Sequence, residues 1–234
     1  MKKFYKEALA ESADGGWRVM LDGRGIKTAM GAPQVVPNET LANALASEWD
    51  GQGEEIDPAH FLFRDMADYA IDVVRPNRDA AIGELLRYAE TDTLCYRADP
   101  DEALFQRQQE VWEPLLSSIE ARHGVRFTRV SGIMHRPQPP ETLEAIRRHL
   151  AEQDDFALAA LNTLASLSTS LSIALAALEE DADAEALWAA ANCEEDWQME
   201  LWGKDYLAKE RRDRRQAEFT NALRFARLTR EEAS

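Results

Sequence analysis

The sequence predicts an α+β chain. A small, hairpin-rich N-terminal β-containing domain spans residues 1–58, and a larger all-α helical domain spans residues 59–234. Three observations carry this reading. Short β-prone runs in the first third are split by Asp-Gly and Gly-Gly turns, the pattern of hairpins. Beyond Pro58 the apolar residues recur at helical spacing. The stops between those later runs are prolines and glycines, as helix ends require. With 234 residues, 45% of them apolar and 30% charged, the chain is long enough for a real core and has a globular, not a disordered, composition.

The elements follow in order. Phe4–Ser12 alternates loosely, Asp14–Gly16 turns, Trp17–Leu21 is strand-like, Asp22–Gly25 turns again, and two short extended runs follow up to Pro37. Asn38 or Thr40 then caps a helix whose Leu41, Leu45 and Trp49 recur at i, i+4 and i+8. Trp49 continues that stripe and is expected to be buried between the N-terminal unit and the helical domain. Gly51 and Gly53 end the helix, and Glu54–Pro58 is loop. In Leu62–Val74 the residues Met66, Tyr69, Ala70 and Val73 share one side. A helix over 77–92 follows the Arg75-Pro76 stop. Another over 101–124 runs to Gly124, with Pro114 a kink or a restart. Val125–Ile133 reads as a strand or an extended link. The helix over 139–153 opens on prolines, and a long helical stretch closes the chain from about Ala184 to Leu228.

One segment resembles a membrane span. Leu158–Leu178 carries no charge and is long enough to cross a bilayer. It is laced with Asn, Thr and Ser, and both flanks are acidic, where a membrane helix has a basic flank on one side. It reads as a buried helix, or two short ones, at the centre of the helical domain.

Charge bounds the partners. The net charge of −16 repels nucleic acid and anionic membranes and suits partners with a basic patch. The basic run Lys209–Gln216 is interrupted by Glu210 and Asp213, and helical ion pairing such as Glu210 with Arg214 accounts for it. The two cysteines, Cys95 and Cys193, fit neither a disulfide scaffold nor a Cys-x-x-Cys metal site, and Cys193 reads as a small apolar filler. Reducing cytoplasm is the expected compartment, and the N-terminus lacks the apolar run of a signal peptide. No two of His60, His123, His135 and His149 stand three or four residues apart, so none forms a helical metal pair. Phosphate loops, dinucleotide fingerprints and nucleophile elbows are absent, so no cofactor is expected. Glu90, Asp92 and the cluster Glu194, Glu195, Asp196 could hold a metal. Consecutive helical carboxylates diverge by about 100°, however, and a solvated acidic face explains them as well.

The stretch "EEDWQMELWG", residues 194–203, mixes two tryptophans with four carboxylates. Placing residues 187–206 on one helix sorts them into two stripes. Leu187, Ala190, Trp197 and Leu201 form an apolar stripe. Trp188, Ala191, Glu195, Gln198, Trp202 and Tyr206 form a second, aromatic at its ends and polar at its centre. Either a buried polar network or an exposed patch with aromatic anchors fits the second stripe. Glu195, Gln198 and Trp202 are the candidate partner-binding residues, and Trp197 is assigned to the core.

Several blocks resemble the ATP12-type assembly chaperones of the F1 part of ATP synthase. In order they are Val19–Thr28, Leu45–Pro58, Ala89–Ala98, Gln108–Leu116 and Glu194–Gly203. The resemblance implies an N-terminal α/β domain, a C-terminal helical domain and no catalysis. It implies a molecular chaperone, monomeric and without membrane insertion, that holds the free F1 α subunit until the β subunit takes its place. Two departures stand out. A glycine common in relatives is replaced near Thr169 and Ser170, and the His-Asp that follows the Trp-Gly block in mitochondrial members is absent. The sequence resembles the bacterial branch, to which the lack of a transit peptide also points. Two competing readings are a metal-dependent enzyme built on the acidic helical cluster and a helical scaffold for another basic protein.

Overall fold

The computed structural model describes residues 1–132, 135–203 and 206–230. Turn chemistry builds the first elements. β1 (Ala8–Ala13) and β2 (Gly16–Leu21) pair antiparallel, with Ala8 opposite Leu21 and Ala13 opposite Gly16. β3 (Arg24–Gly25) returns along β2 after the Asp22-Gly23 turn. Both turn residues have positive φ, 47° and 77°, the backbone a two-residue hairpin needs. Asp22 also accepts the backbone N–H groups of Lys6 and Glu7, at 3.0–3.2 Å, which ties the N-terminal segment to the hairpin.

α1 (Glu39–Asp50) starts at Asn38, whose Oδ1 accepts the Leu41 N–H at 2.8 Å. Leu41, Leu45 and Trp49 are buried, as their spacing predicts. Gly51 ends the helix at φ −68°, without entering the left-handed region. Trp49 meets Tyr5 edge-on at 5.6 Å and tilts over Phe61 at 4.5 Å.

A short 3₁₀ turn leads to α2 (Leu62–Tyr69), which has no side-chain cap of its own. Glu48 supplies one from α1, its two oxygens accepting the N–H groups of Phe63 at 2.7 Å and Arg64 at 2.9 Å. The helix then widens into a π turn at Ala70–Val74. This corrects the predicted face. A π turn adds a residue per bond, so Ile71 and Val74 point inward with Ala70, and Val73 is left 43% exposed. After a 3₁₀ step at Arg75–Asn77 the chain continues as α3 (Arg78–Glu90).

β4 (Tyr96–Arg97) and β5 (Val130–Ser131) form a two-stranded parallel pair, Tyr96 opposite Val130, so the 125–133 segment contains a short strand. Between them α4 (Ala103–His123) runs unbroken through Pro114 and ends at Gly124, in the left-handed conformation with φ 63°. α5 (Pro140–Glu152) has proline in its first turn, as expected. The uncharged segment becomes two helices, α6 (Asp155–Ser168) and α7 (Leu171–Ala176). Among the described residues no helix is long and apolar enough to cross a membrane. The closing stretch is three helices: α8 (Ala184–Ala191), α9 (Cys193–Trp202) and α10 (Tyr206–Leu228).

These elements sort into two units. The first comprises Met1–Arg78, Asp155–Ala160 and Arg224–Ser234, and the second Asp79–Asp154 and Leu161–Leu223. The first unit therefore passes the expected limit at residue 58 and takes in the start of α6 and the end of α10. Side chains that bridge distant segments explain why. Asp155 accepts from Arg75 at 3.0 Å and Arg78 at 2.5 Å. Asp68 and Asp72 accept from Ala29 N, Met30 N and Thr28 Oγ1 at 2.7–3.0 Å. Asn38 Nδ2 donates to the Leu228 and Thr229 carbonyls at 2.8 and 3.1 Å. Trp49 packs against Tyr5 and Phe61, both residues of this same unit.

The second unit turns on Asp92, which is fully buried. Its carboxylate accepts Ser170 Oγ–H at 2.6 Å, Ser172 N–H at 2.8 Å and Leu94 N–H at 3.1 Å. Ser170 in turn caps α7 through Ile173 N at 3.0 Å. Thr169 makes the break before it at φ 51°, a conformation that disfavours β-branched residues. Burial raises the Asp92 pKa although its hydrogen bonds oppose the shift.

Two predictions follow from these cores. Trp49→Ala should lower stability by about 3–5 kcal/mol, as a large aromatic truncation does, and urea unfolding will measure it. Asp92→Ala leaves three buried donors without an acceptor, at about 1–3 kcal/mol each. A loss of about 3 kcal/mol or more is expected. A carboxyl raised in the fold stabilises most below its unfolded pKa and less as pH rises through its folded value. Titrated unfolding of Asp92→Ala should lack that decline.

Candidate functional site

The second unit carries the tryptophan–carboxylate stretch on α9. The helix does not continue from α8, because Asn192 interrupts it at φ −109°, ψ 19°, with its Nδ2 donating to the Trp188 carbonyl at 2.8 Å. The single wheel over 187–206 therefore does not apply. Trp188, placed in the polar stripe, is 2% exposed and packs against Phe219. Leu201, placed in the core stripe, is 57% exposed. Trp197 is only half-buried, and the Tyr206 side chain lies outside the described residues.

Within α9 the expected partner residues do share exposure. Glu195 and Gln198 are exposed, and Trp202 is 78% exposed beside Leu201 at the end of the helix. Gly203 closes α9 with a φ of 90° directly after this apolar pair. The remaining carboxylates of the stretch are engaged. Asp196 forms a two-pronged ion pair with Arg212 of α10, one arm at 2.8 Å. Glu200 accepts from Arg107 at 3.1 Å. Glu194 accepts from Gln108 at 2.7 Å, and partial desolvation raises its pKa. Glu195 is the member with no ion-pair partner among the described residues, lying in the field of Arg212.

α4 is the platform beneath. Trp112 is fully buried and its Nε1–H donates to the Ala190 carbonyl at 2.8 Å, satisfying the last turn of α8. On another side of α4, Glu113 pairs with Arg97 at 2.8 Å and Arg129 at 2.7 Å, and Arg129 also pairs with Glu120. The sequence analysis missed this network. Its one sequence signal is the seven-residue spacing of Glu113 and Glu120, which puts both on one helix face. The Asp196–Arg212 pair joins separate helices and has no local signal.

Among the described residues no group of three or more His, Cys, Asp or Glu side chains stands close enough to hold a metal ion. Cys193 is buried, and burial raises its pKa, as a packed and unreactive thiol requires. The stretch thus offers chemistry of recognition: an apolar pair, an exposed carboxylate and an amide on a helix locked from behind.

The hydrogen bond from Arg129, helped by Arg97, holds the Glu113 carboxyl down to about 2 from 4.5. A depressed acid stabilises fully above its unfolded pKa and loses that contribution as pH falls through its folded value. Stability should therefore decline between about pH 4.5 and 2, and Glu113→Gln should flatten that part of the curve. The pair is partly exposed and screened, so the effect is modest; acid unfolding followed by circular dichroism checks it.

Comparison with known proteins gives a consistent result. The family model described as ATP12 chaperone protein matches residues 2–120. The protein atp12, mitochondrial, of Schizosaccharomyces pombe is 28% identical over 214 residues, covering 86% of this chain and 74% of that protein. The crystal structure of Atp12 from Paracoccus denitrificans is similar at a TM-score of 0.92, with 35% identity and 98% of each chain covered. A protein from Agrobacterium tumefaciens is similar at 0.92, with 38% identity, over 97% of this chain and 85% of its own.

Proposed function

Because the chain belongs to the ATP12 chaperone protein family, we propose that it assists assembly of the F1 part of ATP synthase. It binds the free α subunit, keeps it from aggregating, and yields it to the β subunit without catalysis. The observation that carries the site is Trp202, 78% exposed next to Leu201 on a helix whose other face is locked by ion pairs.

The physics is direct. A ring subunit without its neighbour exposes an apolar interface liable to self-association. An exposed indole and leucine can cover part of that surface, and aromatic anchors contribute most in such contacts. Glu195, without an ion-pair partner among the described residues, can meet an arginine inside the aromatic rim, and Gln198 adds hydrogen bonds. The chaperone's net charge of −16 gives the complex repulsion against further association. Release needs no nucleotide, since a tighter-binding β subunit displaces the chaperone by mass action.

Three variants and two measurements test this reading. Trp202→Ala should weaken capture of purified α subunit by about 2 kcal/mol or more, and Glu195→Gln by about 2–5 kcal/mol if the charge pair is desolvated. Both should melt like the parent, because both side chains are exposed. Trp197→Ala should do the reverse, losing stability first. Unchanged capture by Glu195→Gln and Trp202→Ala together would remove α9 from the partner surface.

A further inference from the structure

The first unit holds a half-open cleft of about 490 Å³, within the size range of small-ligand sites. The N-terminal segment forms one side through Phe4 and Tyr5, and the β2–β3 hairpin forms the other through Leu21 and Ile26. Trp49, Arg24 and Lys27 complete the part that concerns recognition.

Three features of these residues are unusual together. Trp49 is nine-tenths buried, yet its Nε1–H has no acceptor among the described residues. A buried donor left unmade is costly, and native folds rarely leave one without a reason. Arg24 and Lys27 are exposed and have no carboxylate partner among the described residues, although the chain has 43 acidic residues against 27 basic ones. The one carboxylate in the lining, Asp22, is occupied by the Lys6 and Glu7 N–H groups. Finally, Phe4 stays 64% exposed at the cleft, against Tyr5 at 5.3 Å.

The walls are also held rigid. Tyr5 Oη–H donates to the Trp49 carbonyl at 2.5 Å, and Lys3 Nζ donates to the Asp50 and Gln52 carbonyls, each at 3.1 Å. The backbone of Lys3 donates to Glu54 O at 2.8 Å. The cleft is thus preformed and does not depend on a ligand for its shape.

We propose that this cleft binds an aromatic carboxylate. The flat body lies against the aromatic and aliphatic lining, the Trp49 indole included, and the anion meets Arg24 and Lys27. The same chemistry occurs in a free aromatic acid and in a peptide that ends in phenylalanine, and the test separates these sources.

The probes are 3-phenylpropionate, the peptide glycyl-glycyl-phenylalanine with a free carboxyl end, and the amide of each. Calorimetry and the Trp49 indole resonance, assigned by triple-resonance methods on the full chain, give the readouts. At least one acid should saturate with a Kd of about 1 mM or tighter and move that resonance, while its amide binds more weakly. Preference for the free acid identifies a small-molecule site, and preference for the peptide identifies a chain-end site. Combined Arg24→Ala and Lys27→Ala should weaken the acid roughly tenfold, the loss of one charge-assisted hydrogen bond, with an unchanged melting curve because both side chains are exposed. No saturation by either acid, equal binding of acids and amides, or full binding by the double variant would each overturn the proposal.

Discussion

Helix ends must find partners for backbone groups that the helix itself cannot satisfy, and in this chain distant side chains supply them. Asp92 is the deepest case. It gathers Leu94 N–H, Ser172 N–H and the Ser170 hydroxyl around one carboxylate. It thereby fixes how α6 gives way to α7 at a strained Thr169. Glu48 does the same for the start of α2, and Asn38 serves two helix ends at once, the start of α1 and the close of α10. An acidic chain has carboxylates to spare, and here several of them are structural.

This division of labour bears on the surface of α9. Of its acidic residues, Asp196 and Glu200 are turned to arginines and Glu194 to Gln108. The helix is therefore positioned by its own charges, and Glu195, Gln198, Leu201 and Trp202 are left facing outward. A rigid support of this kind lowers the ordering cost of binding. It also accounts for how the stretch combines indoles with carboxylates. Trp197 is half-buried, Trp202 is exposed, and the carboxylates of the stretch mostly hold the helix in place.

Much of this architecture was legible in the sequence, because turns and caps are local. Asp22-Gly23, Asn38 and Gly124 each act where they stand, and Leu41, Leu45 and Trp49 share a face whatever surrounds them. Split burial of the uncharged segment followed from its hydroxyl residues. What escaped was set by events without a local signature. A π turn at Ala70–Val74 moved Val73 outward, and a break at Asn192 put Trp188 and Trp202 in different environments. The reach of the first unit past residue 58 depends on Asp68, Asp72, Asp155 and Asn38 finding partners far along the chain. Pairing at such separations is invisible to periodicity. At the candidate site the exposure of Glu195, Gln198 and Trp202 agreed with one of the two sequence readings, while Leu201 joined them only in the structure.

The contact between Asn38 and Leu228 spans 190 positions, and it has a temporal consequence. Chains emerge from the ribosome N-terminus first, at about 5–20 residues per second. The hairpin and α1 are therefore made early, but the carbonyls of Leu228 and Thr229 that Asn38 binds emerge some 190 positions later. The second unit, whose segments lie between, has nearly all of its residues in hand before the first can close. The order of maturation thus runs against the order of synthesis, and loss of Leu228 and Thr229 would be felt as far away as Asn38. Long-range closure of this kind is slow to form, so the newborn chain passes through an interval with its first-unit apolar residues uncovered.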